Sequence, residues 1–444
     1  MPSGHTAPSP VPVRAKPEGE THDPRTWDWV EASVWTERML AALGNGVQGG
    51  TWYSLMDKVA APRTLAAAWK RVAANKGAAG VDGISIARFK ARASHYLAEL
   101  VQELLDGSYQ PLPARRVHIP KGKGTTRPLG ISAVKDRIVQ AAVKMVLEPI
   151  FEREFLSCNY GFRPGRGCKD ALREVDRWLK AGYTWVVDVD LERYFDTIPK
   201  APLLTRVAEK VSDGTLLALI QRFLAQDILD GMAQWTPLAG VPQGSVLSPL
   251  LSNLYLLPLD RAMSQAGYTL VRYCDDLVVL CRTQAEAEAA LALLQDWTMH
   301  HGLRLHPEKT GVVACHEVDH SFDFLGYRFK NGRHLVRPKS LKALRERIRQ
   351  KTGRTRSDSL EEIIAEINPI LRGWFGYFKH AYHLSFRTID SFVRRRLRAI
   401  LRKREKRPGY GSTPSDHTRW PNAFFASHGL FTLHEAHVAA RQSR

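Results

Sequence analysis

The sequence predicts an α+β body followed by a helical region, and two observations carry this prediction. Between about residues 117 and 330, short β-rich segments such as 185–191 and 311–314 alternate with helical ones. Residues 328–407 instead show a helical period. Its apolar positions include Ile389, Phe392, Val393, Leu397, Ile400 and Leu401.

The segments on either side of the mixed body have their own character. Residues 1–24 are polar and rich in proline, which predicts disorder. Residues 25–115 contain scattered tryptophans among segments rich in alanine and leucine, and they are predicted to be mostly helical. Farther on, Asp358 and Glu361 fit a helix-capping signal before an apolar run. A chain of 444 residues has room for two to four such domains.

Composition excludes several classes of protein. The apolar fraction of 44% and the charged fraction of 25% are ordinary for a globular chain, so intrinsic disorder throughout is excluded. No apolar run reaches the roughly 18 residues of a membrane span. The five cysteines form no CxxC pair, which indicates free thiols in a reducing cytoplasm. No Walker A sequence is present, which argues against a P-loop motor.

The net charge points to a polyanionic partner. The chain carries 64 Lys+Arg against 45 Asp+Glu, a surplus of 19. Residues 328–407 hold 24 of the basic residues and 7 of the acidic ones, so this stretch alone carries +17. We expect its outer helical faces to bind nucleic acid phosphates, with a merely solvated basic face as the alternative. The residues expected on these faces are Arg394, Arg395, Arg396, Arg398, Arg402, Lys403 and Arg404.

Two groups of carboxylates suggest a metal site. Tyr273-Cys274-Asp275-Asp276 lies between two β-rich arms, which predicts a hairpin with acids at its tip. In residues 186–191, alternation places Asp188 and Asp190 on the face opposite the core. If the strand neighbours the hairpin, three or four carboxylates converge and suit two Mg²⁺ ions about 4 Å apart. A polar turn and a solvated strand face are the alternative.

Ordered sequence blocks give the chain a resemblance to a known family. Tyr273-Cys274-Asp275-Asp276 resembles the YxDD box of reverse transcriptases, and its surroundings resemble group II intron-encoded reverse transcriptase/maturases. The likeness runs from about residue 55 to the end. Further blocks in the family's order are Ile119-Pro120-Lys121 through Ile131, Asn159 through Arg166, Asp190 through Asp196, Pro242-Gln243-Gly244-Ser245, Gly302 through Thr310, Phe324 through Tyr327, and Leu371 through Phe378.

The resemblance implies a right-hand polymerase with fingers, an antiparallel-sheet palm carrying the YxDD hairpin, and an α-helical thumb/maturase domain. The implied boundaries are an N-terminal extension at 1–50, fingers at 51–180, a palm at 181–328, a thumb/maturase domain at 329–407 and a DNA-binding segment at 408–444. The last segment is too short for an endonuclease domain, so none is expected. Its aromatic cluster is expected to dock on the thumb or to contact nucleic acid.

The resemblance also selects the catalytic acids. It implies that Asp190, Asp275 and Asp276 bind two Mg²⁺ ions, and that Asp188 does not. Alternation alone could not separate Asp188 from Asp190. The family most often has alanine where this chain has Cys274. We expect this thiol to make the enzyme sensitive to alkylation, because the site must admit substrate.

Several residues are implied to contact the nucleotide or the nucleic acid. Phe195 corresponds to an aromatic gate that excludes the ribose 2′-hydroxyl, with a core aromatic as the alternative. Lys309 is a candidate general acid for the pyrophosphate, with an ordinary surface lysine as the alternative. The remaining candidates are Lys121 and Arg127 beside the triphosphate in a basic loop with Lys123, Gln243 and Gly244 near the nascent pair, and Arg163 on nucleic acid.

The leading hypothesis is an RNA-directed DNA polymerase that binds its group II intron RNA and assists splicing and mobility. Its expected partners are intron RNA or another RNA template, a DNA primer or target, and deoxynucleotides, in a bacterial cytoplasm or nucleoid. Two alternatives stay open. One is an RNA-binding maturase with secondary polymerase activity, and the other is an intron-free reverse transcriptase serving defence or DNA repair.

Overall fold

The computed structural model describes residues 27–47, 49–122, 125–317 and 319–442, with only the backbone at residues 121, 122 and 125. Contacts divide the chain into two compact units. The first contains residues 1–183 and 187–312, and the second contains residues 184–186 and 313–444. The predicted disorder of residues 1–24 and the expectation for Lys123 lie outside the described residues. The domain boundaries given above remain predictions.

Two long helices of the first unit, Val134–Glu152 and Ser248–Gln265, are buried along most of their length. The helices run in chain order as α1 Glu37–Asn45, α2 Met56–Val59, α3 Pro62–Ala74, α4 Ile86–Ala91, α5 Ala93–Leu105, α6 Val134–Glu152, α7 Cys168–Lys180, α8 Tyr194–Thr197, α9 Lys200–Ala208, α10 Gly214–Leu224, α11 Ser248–Gln265 and α12 Gln284–His300.

The first eight strands form two four-stranded sheets. They are β1 Ala114–Gly122, β2 Thr125–Ile131, β3 Trp185–Asp190, β4 Ile228–Asp230, β5 Ala233–Trp235, β6 Thr269–Tyr273, β7 Asp276–Cys281 and β8 Gly311–Ala314. One sheet has the order β2-β1-β4-β5 and the other β6-β7-β3-β8. The second sheet therefore places the two acid-bearing segments, β3 and the β6–β7 hairpin, side by side.

The hairpin and the alternating strand are as predicted. Strands β6 and β7 are antiparallel, with Tyr273 opposite Asp276. Cys274 and Asp275 form the turn, and Cys274 has a left-handed backbone with φ of 62°. In β3, Val187 and Val189 are buried while both aspartates are half-exposed. Val186, on the same face as the aspartates, is buried as well, so the alternation of burial holds only from Val187 to the end of the strand.

The second unit combines a small sheet with helices. Its antiparallel strands are β9 Phe322–Phe324, β10 Tyr327–Lys330 and β11 Arg333–Val336. Its helices are α13 Pro338–Lys351, α14 Leu360–Phe378, α15 Leu384–Arg404, α16 Pro414–Arg419, α17 Asn422–Ser427 and α18 Leu433–Gln442. The predicted apolar positions of α15 are buried, apart from half-buried Leu401.

The capping signal before α14 lies one residue later than predicted. Ser359 is the N-cap, and its hydroxyl accepts from the amide of Glu362 while that carboxylate accepts from the Ser359 amide. Asp358 instead binds Arg356. Among the described residues, no helix is both long and apolar enough to cross a membrane. The mixed sheet-containing body and the helical C-terminal region confirm the predicted fold class.

Candidate active site

The three predicted catalytic acids lie at the ends of neighbouring strands. Asp190 is the last residue of β3, Asp275 lies in the β6–β7 turn, and Asp276 begins β7. Strand β3 is the sheet neighbour of β7. All three residues are half-exposed. The sheet order thus presents carboxylates from two separate chain segments toward accessible positions.

A buried arginine donates a hydrogen bond to the backbone of the acidic turn. Arg272, just before the YCDD residues, has a fully buried side chain. Its Nη1 donates to the Cys274 carbonyl at 3.0 Å and to the Asn253 side-chain oxygen at 3.1 Å. Its Nε donates to Asp260 at 2.7 Å. One guanidinium therefore joins the turn of the hairpin to helix α11.

The charge state of this pair follows from its surroundings. Burial raises the pKa of Asp260, and the adjacent Arg272 guanidinium opposes that rise. Both side chains are fully buried, so each charge relies on the other for compensation. Sequence reasoning missed Arg272 and Asp260. The signal was present, since both are ionisable residues within otherwise apolar segments that the fold must bury.

Gly161 packs directly on the same turn. A Cβ atom at this position would lie 2.3 Å from the Cys274 amide nitrogen and 2.9 Å from the Tyr273 carbonyl carbon. The Asn253 side chain donates to the Gly161 carbonyl at 2.7 Å. Arg272 and Gly161 therefore both contact the YCDD turn, and Asn253 binds each of them. Local sequence patterns could not predict this contact, because the residues are far apart in the chain.

Asp190 is held by the segment that follows α12. Its amide donates to the Thr310 hydroxyl at 3.2 Å, and its carbonyl accepts from the His306 amide at 2.8 Å. The Lys309 ammonium lies 3.1 Å from its carboxylate, with side-chain exposures of 55% for Lys309 and 42% for Asp190. Because both groups face solvent, this pair contributes little stability. The predicted general acid is thus placed beside a predicted metal ligand.

The donor chemistry of the three acids fits a hard divalent cation. Carboxylate oxygens are the protein ligands that Mg²⁺ prefers, and the three residues are accessible. Within the described ranges, no three His, Cys, Asp or Glu side chains lie close enough together to hold a metal ion. The convergence of Asp190, Asp275 and Asp276 on two ions stays a prediction.

Two of the predicted nucleotide residues form a connected polar chain. Arg127 Nε donates to the Gln243 side-chain oxygen at 3.0 Å, and Gln243 Nε2 donates to Asp196 at 3.0 Å. Arg127 is exposed and Gln243 half-buried. The structure therefore brings strand β2, the Pro-Gln-Gly-Ser loop and helix α8 together. Asp196, which had not been assigned a role, is the acceptor at the end of the chain.

Gly244 occupies a position that requires glycine. Its φ is +105°, and a Cβ atom there would lie 2.5 Å from the Gly130 carbonyl oxygen. The Gly130 amide also donates to the Gln243 carbonyl at 2.7 Å. A side chain at residue 244 would therefore push the loop away from strand β2. The close approach seen here is to the protein's own backbone, and the place of Gly244 near the nascent pair stays a prediction.

Phe195 lies on α8, one residue before the Gln243 acceptor Asp196. Its ring is half-buried and packs edge-on against Tyr194 at 5.5 Å between centroids. Its carbonyl accepts from the Val241 amide at 2.7 Å, which ties it to the Pro-Gln-Gly-Ser loop. The side chain of Lys121, the other predicted triphosphate contact, lies outside the described residues.

The expected reactivity of Cys274 is wrong. The residue is only 4% exposed, and its sulfur lies 3.9 Å from the Ser252 hydroxyl. Burial raises the pKa of this thiol to about 12, and the nearby Asp275 carboxylate adds to the rise. A buried thiol held in its protonated form is a poor nucleophile. The YCDD turn exposes its acids and buries its cysteine.

Comparison with known proteins identifies the family. Residues 119–329 match the family described as reverse transcriptase (RNA-dependent DNA polymerase), and residues 341–416 match the group II intron maturase-specific domain. Protein YkfC of Escherichia coli (strain K12) is 35% identical over 318 residues, covering 62% of this chain and 82% of that protein. The chain belongs to the group II intron reverse transcriptase/maturase family. Its enzyme class is therefore RNA-directed DNA polymerase.

Other members of the intron reverse transcriptase family match over shorter lengths. Group II intron-encoded protein LtrA of Lactococcus lactis subsp. cremoris is 36% identical over 199 residues, which are 45% of this chain and 33% of LtrA. The match therefore spans about a third of that relative. Among solved structures, a partial Cas6-RT-Cas1–Cas2 complex matches with 26% identity, covering 56% of this chain and 41% of that chain, with a TM-score of 0.36.

The basic helix α15 of this reverse transcriptase/maturase is less open than predicted. Arg398 was expected to face outward, but it is 2% exposed. Its Nε donates to the Trp420 carbonyl at 2.9 Å and its Nη2 to the Asn422 side chain at 3.0 Å. Trp420 and Phe425 are buried. The aromatic tail thus docks on α15, one of its two expected roles, and covers the face that Arg398 occupies.

Two more predicted arginines of α15 have protein partners. Arg402 binds the buried Asp416, and Arg396 donates from Nε to the Thr352 hydroxyl at 3.0 Å. Arg394, Arg395, Lys403 and Arg404 are half-exposed or exposed. Arg404 also donates to the Asp358 carbonyl. The accessible basic surface of α15 is therefore smaller than the sequence predicted.

Arg163 is also buried, against the expectation that it contacts nucleic acid. It is 6% exposed, and its Nε donates to Glu152 at 2.9 Å. Its Nη1 donates to the carbonyls of Leu156 and Asn159, at 2.6 and 2.9 Å. Arg163 therefore organises the loop that leads to Gly161. The expectation that Arg163 and Arg398 contact nucleic acid is therefore wrong, because both side chains are buried.

Proposed function

We propose that this chain copies RNA into DNA by Mg²⁺-dependent nucleotidyl transfer, and that it binds its intron RNA and assists splicing and retrohoming. The observation that carries the polymerase proposal is the buried support of the YCDD turn. Arg272 and Gly161 contact the turn that contains Asp275 and leads into Asp276, the first residue of β7, and β7 neighbours the strand that ends in Asp190. Such support is expected where the geometry of ligands determines the rate.

In this proposal Asp190, Asp275 and Asp276 hold the metal. When bound, Mg²⁺ makes the primer 3′-hydroxyl a better nucleophile and compensates the charge of the triphosphate. The protein orients the reactants around it. Arg127 neutralises the triphosphate, and its hydrogen bond to Gln243 fixes its direction. Asp196 in turn fixes the side-chain amide of Gln243, so that it presents a defined face to the nascent pair.

The remaining residues govern sugar selection and proton transfer. The Phe195 ring lies on the short helix α8, where it would exclude a ribose 2′-hydroxyl by contact. Lys309 donates a proton to the departing pyrophosphate from its position beside Asp190. Cys274 is given no chemical role in this proposal, because its side chain is buried.

Primer extension tests the proposal. The full-length protein should extend a DNA primer on an RNA template with deoxynucleotides and Mg²⁺. Asp275→Asn should reduce extension by several orders of magnitude while RNA binding is unchanged, since the substitution alters a metal ligand and not the basic surface. Asp188→Asn is the matched control, because Asp188 lies on the same strand as Asp190 without being a proposed ligand. Equal extension by Asp275→Asn and the wild type would contradict the proposal.

A further inference from the structure

A pocket between α13 and α15 of the second unit has not been assigned a role. It has a volume of about 380 Å³. Its lining combines three arginines, two hydroxyl side chains and one aromatic ring, namely Arg345, Arg349, Arg395, Thr388, Ser391 and Phe392. Two of the arginines come from α13 and one comes from α15.

The three guanidinium groups surround a single ring. Their Cζ atoms lie 5.9 Å (Arg345), 5.5 Å (Arg349) and 5.8 Å (Arg395) from the centroid of Phe392. Any two of these Cζ atoms therefore lie no farther apart than the sum of their two distances to the ring centroid. The ring face attracts each cation, but it cannot remove their mutual repulsion. The positive charges of Arg349 and Arg395 also add to the effect of burial in lowering the pKa of Arg396.

This cluster differs from those arginines of the second unit that have carboxylate partners. Arg356 is paired with Asp358 and Glu366, and Arg402 is paired with Asp416. In the part of the chain that the structure describes, none of the three pocket arginines forms an ion pair with a carboxylate. The Nε of Arg345 is buried and has no hydrogen-bond partner. The pocket thus holds concentrated positive charge that no ion pair among the described residues compensates.

We propose that this pocket binds a phosphate group, and specifically a backbone phosphate of the nucleic acid held by the polymerase. Guanidinium groups donate in a planar fork that matches phosphate oxygens, and a bound anion would relieve the repulsion among the three cations. The Ser391 hydroxyl adds a neutral donor at the rim. Arg349 and Arg395 are exposed, so a strand can reach them from solvent.

The choice of a backbone phosphate over a free phosphate ion rests on the proposed function and on location. The pocket lies within residues 341–416, which match the maturase-specific domain. It also includes exposed residues of α15, whereas Arg398 on the same helix is covered by the tail. The pocket would therefore be a discrete anchoring point within a basic surface that the tail has partly closed.

The test compares two triple variants of the full-length chain. Arg345→Gln/Arg349→Gln/Arg395→Gln removes the pocket charges. Lys339→Gln/Lys342→Gln/Arg347→Gln removes three exposed charges of α13 outside the pocket and serves as the matched control. Both are measured for affinity to an RNA–DNA hybrid duplex over a series of salt concentrations, and for thermal stabilisation by inorganic phosphate.

The pocket variant should bind the hybrid about 10-fold or more weakly than the control variant, because charge-assisted hydrogen bonds are lost. Its plot of log affinity against log salt should be shallower than wild type by about 0.9, the value for one phosphate contact. Phosphate should stabilise the wild type and the control but not the pocket variant.

Other results would overturn the inference. Loss of phosphate stabilisation with hybrid affinity equal to the control would indicate a free-anion site and contradict a backbone contact. Equal behaviour of the two triple variants in both assays would mean that the pocket is only part of a diffuse basic surface. Arg349→Lys/Arg395→Lys keeps the charge and should weaken binding with an unchanged salt slope. Failure of the polymerase proposal would be recognised by a different result, because Asp275→Asn would then extend the primer as well as the wild type does.

Discussion

Replacing Arg272 by methionine should separate the stability of the first unit from the geometry of its active site. The substitution removes a fully buried guanidinium and leaves the Asp260 carboxyl without its charged partner. It also removes the donor to the Cys274 carbonyl and to Asn253. Breaking one side of a buried ion pair costs about 3–5 kcal/mol. That is a large part of the roughly 5–15 kcal/mol that stabilises an ordinary domain.

Urea unfolding and primer extension should be measured on Arg272→Met and on Arg272→Met/Asp260→Leu. The double variant replaces both charges by apolar groups, so its stability should return to within about 1 kcal/mol of the wild type. Its turnover number should nevertheless stay at least about 10-fold low, because the Cys274 carbonyl still lacks its donor.

Two results would refute the reasoning on Arg272. If the single variant lost less than about 1 kcal/mol of unfolding free energy, the pair would not be a buried charge interaction. If the double variant regained both stability and turnover, the hydrogen bond to the turn would have no positioning role. Thermal unfolding at one protein concentration provides an independent check that both variants are folded before activity is compared.

Three further predictions concern sugar selection, thiol reactivity and pH. Phe195→Ala should incorporate ribonucleotides opposite an RNA template, whereas unchanged discrimination would assign the ring to packing alone. N-ethylmaleimide should leave Cys274 unmodified in the native protein by mass spectrometry, because the residue is 4% exposed. Asp136 lies in the first turn of α6 and accepts from the Tyr109 hydroxyl, and burial raises its pKa to about 6. Because protonated Asp136 is favoured on folding, wild-type stability should fall relative to Asp136→Asn by about 2 kcal/mol between roughly pH 4 and pH 7, as read from urea midpoints. A pH-independent difference would contradict this assignment.

The parts of the structure that the sequence predicted well are those governed by local patterns. The YCDD hairpin follows from two β-rich arms and a short polar turn, and β3 follows from the alternation of valine and aspartate. These patterns depend on neighbours within a few residues. The same is true of α15, whose apolar stripe is buried at the predicted positions apart from Leu401.

What the sequence could not predict depends on contacts between distant segments. The helical period of α15 marks its apolar stripe, but it cannot tell which arginines the tail will cover, and Arg398 is one of them. The support of the turn by Gly161 likewise depends on residues far apart in the chain. The partners of Arg163 and of Arg272, Glu152 and Asp260, are closer in the chain, but they still lie beyond the few residues that a helical or strand period relates.

Metal-directed cleavage of the protein backbone would show directly whether β3 and the β6–β7 hairpin share a bound metal ion. Fe²⁺ is substituted for Mg²⁺ in the full-length protein bound to an RNA template and a DNA primer, and ascorbate with peroxide generates hydroxyl radicals at the bound ion. If the three acids share the ion, cuts are expected near residue 190 and near residues 275–276. Both sets of cuts should be lost in Asp190→Asn and retained in Asp188→Asn. Cuts confined to other segments, or an unchanged pattern in Asp190→Asn, would contradict a shared metal site formed by β3 and the β6–β7 hairpin.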